Sequence, residues 1–186
     1  MKRSIIFTFS LLLATLCLNA QTEVKINPIG ALFGSPDVSA EFGISENFGV
    51  EVGLGVNLGK NTIGDVEFSR SGFGGFLAGK YYFNPNEGID RFGIGLYTRF
   101  RNISNNAKLA EEEVNNFERS LIAGGLMITQ KWVSQSGVIF EIDFGAGRAF
   151  KNDITFDDNT NSEISLDDIP GLNIDVILRF AIGYRF

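Results

Sequence analysis

The sequence predicts an all-β fold, a closed barrel of eight antiparallel up-and-down strands, on the basis of three observations. Apolar residues recur at every second position in eight segments after residue 20, which is the period of a β-strand. Short turns alternate with long polar connections between these segments, as in barrels with turns at one end and loops at the other. The closing segment carries an unbroken apolar face that ends in aromatic residues. Together these observations predict an eight-stranded antiparallel up-and-down transmembrane β-barrel.

The first twenty residues predict an export signal. Lys2 and Arg3 precede an apolar run over residues 5–18, and the small residue Ala20 suits a cleavage site. The run is too short to cross a membrane comfortably as a helix, and no second apolar stretch of helix length follows it. We therefore predict a signal peptide over residues 1–20 and a single barrel domain over residues 21–186.

Composition excludes several kinds of chemistry. The chain contains no histidine, and its one cysteine, Cys17, lies in the predicted signal peptide. Ser-His-Asp catalysis, histidine-bound zinc and thiol chemistry are therefore excluded for residues 21–186. Without Lys2 and Arg3 there are 14 basic residues against 22 acidic ones, a formal charge of −8, so nucleic acid is an improbable partner. We expect a protein that is not an enzyme.

The first three strands are predicted over residues 23–33, 38–45 and 48–58. Val24 and Ile26 share a face of the first strand, and Pro28, which cannot donate to a ladder, predicts a bulge or a change of phase. Residues 34–37 form a short connection, and Glu46 with Asn47 forms a tight turn. Apart from the closing strand, the third strand alternates most cleanly, with valine and leucine on one face and glycine, Glu51 and Asn57 on the other.

The middle strands are predicted over residues 72–83, 90–101 and 118–132. A polar connection over residues 59–71 precedes the fourth strand, and a compact turn over residues 84–88 follows it. A second polar connection, over residues 102–117, contains Glu111, Glu112 and Glu113, for which a helical turn is expected. The sixth strand is predicted to point four apolar residues outward: Ile122, Leu126, Ile128 and Trp132.

The last two strands begin at residues 138 and 173. A turn over residues 133–137 precedes the seventh strand, and the longest and most acidic connection, residues 150–172, precedes the closing strand. Four aromatic residues fall at strand ends facing the short turns, where an interfacial girdle is expected in a membrane barrel: Phe83, Trp132, Tyr184 and Phe186.

The polar faces of the strands predict a charged lumen. Nine charged residues lie opposite the apolar faces: Glu41, Glu51, Lys80, Arg91, Arg99, Glu141, Asp143, Asp175 and Arg179. We interpret them as an internal network of ion pairs that fills the lumen and fixes strand register, because buried charges are costly unless paired. Two alternatives stay open: a narrow ion or solute channel, and a soluble lipocalin-like barrel with an apolar interior that binds a small apolar ligand.

In its strand pattern, turn order and termini, the chain is similar to small eight-stranded outer-membrane barrels of the OmpA or OmpX architecture. The segments INPIGALFG and DVSAEFGISENFGVEVGLG resemble a group of short exported barrels of unassigned function. The resemblance implies a monomer in the outer membrane of a Gram-negative bacterium. Its implied partners are outer-membrane lipid, lipopolysaccharide and the assembly machinery, which reads the C-terminal strand. It supplies no catalytic residues, and a structural or surface-interaction role is expected.

One acidic segment has the spacing of a metal-binding loop. Carboxylate and amide side chains recur over residues 157–168, with weak calcium binding as the hypothesis: Asp157, Asn159, Asn161, Glu163 and Asp168. Calcium takes six to eight oxygen ligands, and with Ser165 this spacing provides six oxygen-bearing side chains. The match to an EF-hand loop is partial, since Ser162 and Asp168 replace the usual glycine and glutamate. The alternative is a solvated acidic loop, and no other cofactor is expected.

Overall fold

The computed structural model describes residues 21–63, 66–109, 112–156, 163–165 and 173–186. The predicted signal peptide, residues 1–20, lies outside these ranges. The described residues form nine strands and one short helix: β1 (Thr22–Ile26), α1 (Pro28–Leu32), β2 (Asp37–Gly43), β3 (Phe48–Ile63), β4 (Val66–Tyr82), β5 (Arg91–Leu109), β6 (Glu112–Val133), β7 (Val138–Phe156), β8 (Glu163–Ser165) and β9 (Ile174–Arg185). In these ranges no helix has the length and hydropathy to span a membrane.

The strands close into a ring of antiparallel neighbours. Each strand from β1 to β7 pairs with the next, β7 pairs with β9, and β9 pairs with β1 through partners such as Val24 and Tyr184. The short β8 pairs with residues 153–155 of β7, on the edge that β6 leaves open, so β8 and β9 share one position of the ring. Eight up-and-down positions result, and the predicted fold is confirmed.

Apolar side chains cover the outside of the barrel, and charged side chains fill its inside. On β3, the outward residue Leu54 is 62% exposed, while Glu51, which points inward from the same strand, is fully buried. The four outward residues predicted for the sixth strand are all exposed on β6. Because the apolar face points outward, the structure opposes a soluble barrel with an apolar interior.

Two predicted connections are wrong and the third begins later than expected, because the strands continue into them. Residues 59–63 pair with residues 66–70, residues 102–109 pair with partners between 112 and 120, and β7 extends to Phe156. The expected helical turn is also wrong, since Glu112 and Glu113 lie in β6; Glu111 is outside the described residues. Beyond the apolar band, side chains on both faces can be polar, so the hydropathy pattern ends while the backbone ladder persists.

The first predicted strand is shorter than expected. β1 ends at Ile26, and residues 28–32 form α1 in place of the predicted bulge. Asn27 caps this helix, since its side-chain oxygen accepts from the Gly30 N–H at 2.8 Å. Pro28 occupies the first turn, where its missing N–H is not needed.

The turn between β4 and β5 closes one end of the barrel. Ile89 in this turn is fully buried, and Asp90 accepts hydrogen bonds from the Asn86 and Glu87 N–H groups. Gln21 bonds to Glu87 and Ile89, and Arg185 of β9 donates to the carbonyl groups of the same two residues. The turn is therefore fastened to both strands at the β1–β9 closure.

Candidate functional site in the barrel interior

Three buried lysines lie at the centre of a charge network near the turn end of the lumen. The Lys25 ammonium lies 2.5 Å from Glu41 and 2.9 Å from both Glu51 and Glu141. All four side chains are fully buried. Lysine donates through three N–H groups, so each ammonium can bind several carboxylates at once.

The other two lysines contact overlapping carboxylates. Lys80 is paired with Glu51 at 2.5 Å, with Glu141, and with Asp143 at 3.3 Å. Lys131 lies 2.7 Å from Glu23 and 2.8 Å from Glu41. Because carboxylates are shared between lysines, β1, β2, β3, β4, β6 and β7 are joined through one network.

Two arginines extend the network to β9. Arg179 bridges Glu51 at 2.9 Å, Asp37 at 3.0 Å and Asp143 at 3.2 Å. At the turn end, Arg185 binds Glu23 at 2.6 Å. The network thus joins three lysines and two arginines to six carboxylates, and it ties the closing strand to the first four strands and to β7.

Small residues make room for the large charged ones. A side-chain carbon at Gly49 would lie 2.5 Å from the Glu41 carboxylate, and one at Gly53 would collide with the Phe76 ring. The Arg179 guanidinium lies over the same ring, 5.0 Å from its centre. An eight-stranded barrel has just enough interior for its side chains, so glycine on one strand accommodates bulk from another.

A thin apolar layer lies above the lysines of this network, towards the loop end. Ala78, Tyr97 and Met127 form a buried cluster, with Phe76 and Ile177 packed against it. The Tyr97 hydroxyl donates to Asp175 at 2.8 Å, and Arg99 pairs with the same carboxylate. Towards the loop end, the lumen therefore changes from a network with similar numbers of acidic and basic side chains to a region in which arginine predominates.

A cavity of about 330 Å³ lies beyond that layer. Its lining includes four arginines, Arg70, Arg99, Arg101 and Arg119, and one acidic residue, Asp175. β4, β5 and β6 supply the arginines because each of these strands continues past the apolar band with its inward phase maintained. The apolar residues Ile103 and Leu121 line the cavity and are almost fully buried.

Most of the nine predicted lumen residues are placed correctly. Seven of them are buried: Glu41, Glu51, Lys80, Glu141, Asp143, Asp175 and Arg179. The Arg99 side chain is 15% exposed and pairs with Asp175. The predicted lumen position of Arg91 is wrong, since this residue is exposed and donates to Asn84 and Asn86 of the neighbouring turn. Its φ of 70° shows that the backbone is still leaving the turn, so the strand's alternation does not yet apply.

Sequence reasoning missed three buried members of the network. Glu23 and Lys25 alternate with the outward residues Val24 and Ile26 on β1. Lys131 alternates with the outward residue Trp132 on β6. The same period that identified the apolar faces would have found all three.

Carboxylate clusters in the lumen are arranged around lysines. Oxygens of Glu23, Glu41 and Glu141 approach within 4.8 Å of one another, as do those of Glu51, Glu141 and Asp143. Lysine ammonium groups contact oxygens in both sets, so cations of the chain itself already neutralise these carboxylates. The arrangement is that of an ion-pair network.

The predicted calcium ligands fall mainly outside the described residues. Asp157, Asn159, Asn161 and Asp168 lie there, and Glu163 is described only as the first residue of β8. The weak calcium site stays a prediction.

No protein-family model matches the chain, and no curated protein matches it. Among solved structures, the chain is similar to the crystal structure of a major outer membrane protein from Thermus thermophilus. The two superpose with a TM-score of 0.60 at 13% sequence identity, over 90% of this chain and 100% of that chain. At this identity the similarity concerns the fold. The chain has the fold of a small eight-stranded outer-membrane β-barrel.

Proposed function

We propose that the protein is an outer-membrane barrel of a Gram-negative bacterium with a structural or surface-interaction role and no catalytic activity. One observation carries the proposal: burial is inverted relative to a water-soluble protein. Leu96, Leu126 and Leu178 are at least 66% exposed, whereas Lys25, Lys80 and Lys131 are almost completely buried. A continuous apolar exterior of this kind is stable in lipid, where a closed ring also satisfies the backbone hydrogen bonds.

The proposed partners follow from the outer surface. The apolar band contacts outer-membrane lipid, and polar strand extensions and loops meet lipopolysaccharide or partners outside the cell. β9 is the strand proposed to engage the assembly machinery, because it closes the ring between β7 and β1. A monomer is sufficient, since β1 pairs with residues 182–185 of β9 and closes the ring at the turn end.

Membrane fractionation with an electrophoretic shift assay tests the location and the closed barrel. We expect the protein in the outer-membrane fraction, with unheated and boiled samples migrating at different positions. Recovery as a soluble periplasmic protein whose migration is unaffected by boiling would contradict the proposal.

A further inference from the structure

The arginine-lined cavity near the loop end of the barrel carries a charge opposite to that of the whole chain. The chain has a formal charge of −6, yet the described lining contains four guanidinium groups and one carboxylate, a local balance of +3. Arg99 and Arg101 are half-buried within the barrel wall, whereas Arg70 and Arg119 are exposed at the open rim of the cavity. Repulsion at Arg101 is therefore screened less than on an open surface.

The one carboxylate of the lining is already engaged. Asp175 accepts from the Tyr97 hydroxyl at 2.8 Å and pairs with Arg99. Arg119 donates to the neutral side chain of Asn152 at 2.8 Å. In the described ranges, Arg70 and Arg101 have no ion-pair partner, and the Nε atom of Arg99 is buried without a hydrogen-bond acceptor.

A second cavity, of about 300 Å³, shares Arg99 and Arg101 with this one and extends past Tyr97 and Met127 to Asp143 and Arg179. Below both cavities lie the buried lysines of the network. The turn containing Ile89 closes the far end of the lumen. β4, β5 and β6 remain paired above the level of Arg101, so the wall separates the cavity from lipid on that side. A ligand would enter from the aqueous phase at the loop end.

We propose that this cavity binds a small phosphate-bearing anion, coordinated by the guanidinium groups of Arg70, Arg101 and Arg119. Guanidinium groups bind phosphate oxygens through paired N–H donors, and converging arginines are a common means of phosphate recognition. A volume of about 330 Å³ is at the small end of the range for ligand pockets. It suits a pyrophosphate or a phosphorylated sugar, whether free or as the headgroup of a glycolipid.

Calorimetric titration of the folded full-length domain in nonionic, phosphate-free detergent tests the proposal. The probes are pyrophosphate, for a free anion, and glucose 1-phosphate, for a phosphorylated sugar headgroup. We expect saturable binding of at least one probe with one site per chain, weakened by added salt. Tighter binding of pyrophosphate would indicate a free polyanion, and tighter binding of glucose 1-phosphate would indicate a sugar phosphate.

Two matched variants identify the site. Arg101→Gln removes an inward, unpaired guanidinium and should weaken binding about tenfold or more, since a charge-assisted bond is lost. Arg148→Gln removes an exposed guanidinium on the outer face of β7 and should leave affinity within about twofold. Both variants should retain the electrophoretic shift of the folded barrel.

The unfolding temperature, measured with and without anion, tests the same proposal independently of calorimetry. Without anion, Arg101→Gln should unfold at the same or a higher temperature than the wild type, because it relieves repulsion. Pyrophosphate or glucose 1-phosphate should raise the unfolding temperature of the wild type and raise that of the variant much less. Absence of saturable binding to the wild type at low salt, or equal loss of binding in both variants, would overturn the proposal.

Discussion

Individual charged side chains in the lumen each form ion pairs with several partners. Lys80 neutralises carboxylates from β3 and β7, namely Glu51, Glu141 and Asp143. Such groups are buried at a large desolvation cost, which mutual attraction and hydrogen bonds offset only while the set is complete. Removing one member of the network therefore leaves its partners buried without a counter-charge.

Lys80→Met should destabilise the folded barrel by about 3–5 kcal/mol, because it leaves buried carboxylates without a cation. Lys151→Met is the matched control, since Lys151 is 50% exposed and pairs with Asp153 near the end of β7. Its effect should be about 0–1 kcal/mol. Urea unfolding from lipid vesicles, followed by the fluorescence of the single tryptophan, Trp132, measures both. Equal unfolding midpoints for the two variants would contradict a structural role of the network.

Whole strands were predictable within the apolar band of the barrel. On β3 and β9 the outward face must be apolar and the inward face must fit the lumen, so the alternation is visible in the sequence. Beyond the apolar band neither constraint holds, and the extensions over residues 59–71 and 102–117 could not be distinguished from loops. The paired ladder there depends on backbone hydrogen bonds, which every residue except proline can both donate and accept.

The interior was predictable in composition but not in connectivity. Alternation places Glu51, Lys80 and Glu141 inside, and it does not indicate that one ammonium binds both carboxylates. The arginine-lined cavity was missed because Arg70 lies in the predicted connection over residues 59–71, while Arg101 and Arg119 fall at the ends of the predicted fifth and sixth strands. Three-dimensional proximity across β4, β5 and β6 is what brings these residues together.

Phe186, at the end of the closing strand, is expected to matter for assembly. Deleting Phe186, or replacing it with Asp, should lower the yield of folded barrel far more than the same change at Phe33. The two side chains are similarly exposed, at 77% and 81%. Phe186, however, packs edge to face on Tyr184 with ring centres 5.2 Å apart, and its N–H donates to Thr22 across the ring closure. Phe33 lies at the opposite end, next to α1.

The fraction of protein that shifts on boiling, measured in outer membranes at matched expression, gives the folded yield. Equal yields for the Phe186 and Phe33 variants would remove the proposed part of β9 in assembly.

The molecule as a whole is closed at one end. From the loop end to the turn end, the lumen contains the apolar layer, then the lysine network, then the buried turn at Ile89. A narrow eight-stranded barrel filled in this way leaves no continuous wide water path. The geometry therefore favours a structural or binding role over a general-diffusion channel.

Planar-bilayer recordings should show no stable, porin-sized conductance for the wild type, because fully buried side chains such as Lys25 and Glu141 block the lumen. A denatured sample and an established porin serve as negative and positive controls. Reproducible porin-sized steps from the folded protein would show that the lumen opens in a membrane.

The central claim is that the apolar outer face of the barrel lies in lipid, and fluorescence quenching tests it most directly. Trp132 is exposed near the turn end of β6, and Leu126 lies six residues away on the same outward face, about 20 Å along the strand. The native protein is compared with a Trp132→Phe, Leu126→Trp variant in vesicles of lipids brominated at different depths.

Trp132 should be quenched most by bromines near the headgroups, and the tryptophan at position 126 most by bromines deep in the chains. Aqueous iodide should quench both weakly. Strong iodide quenching of both positions without quenching by brominated lipid would contradict a transmembrane barrel.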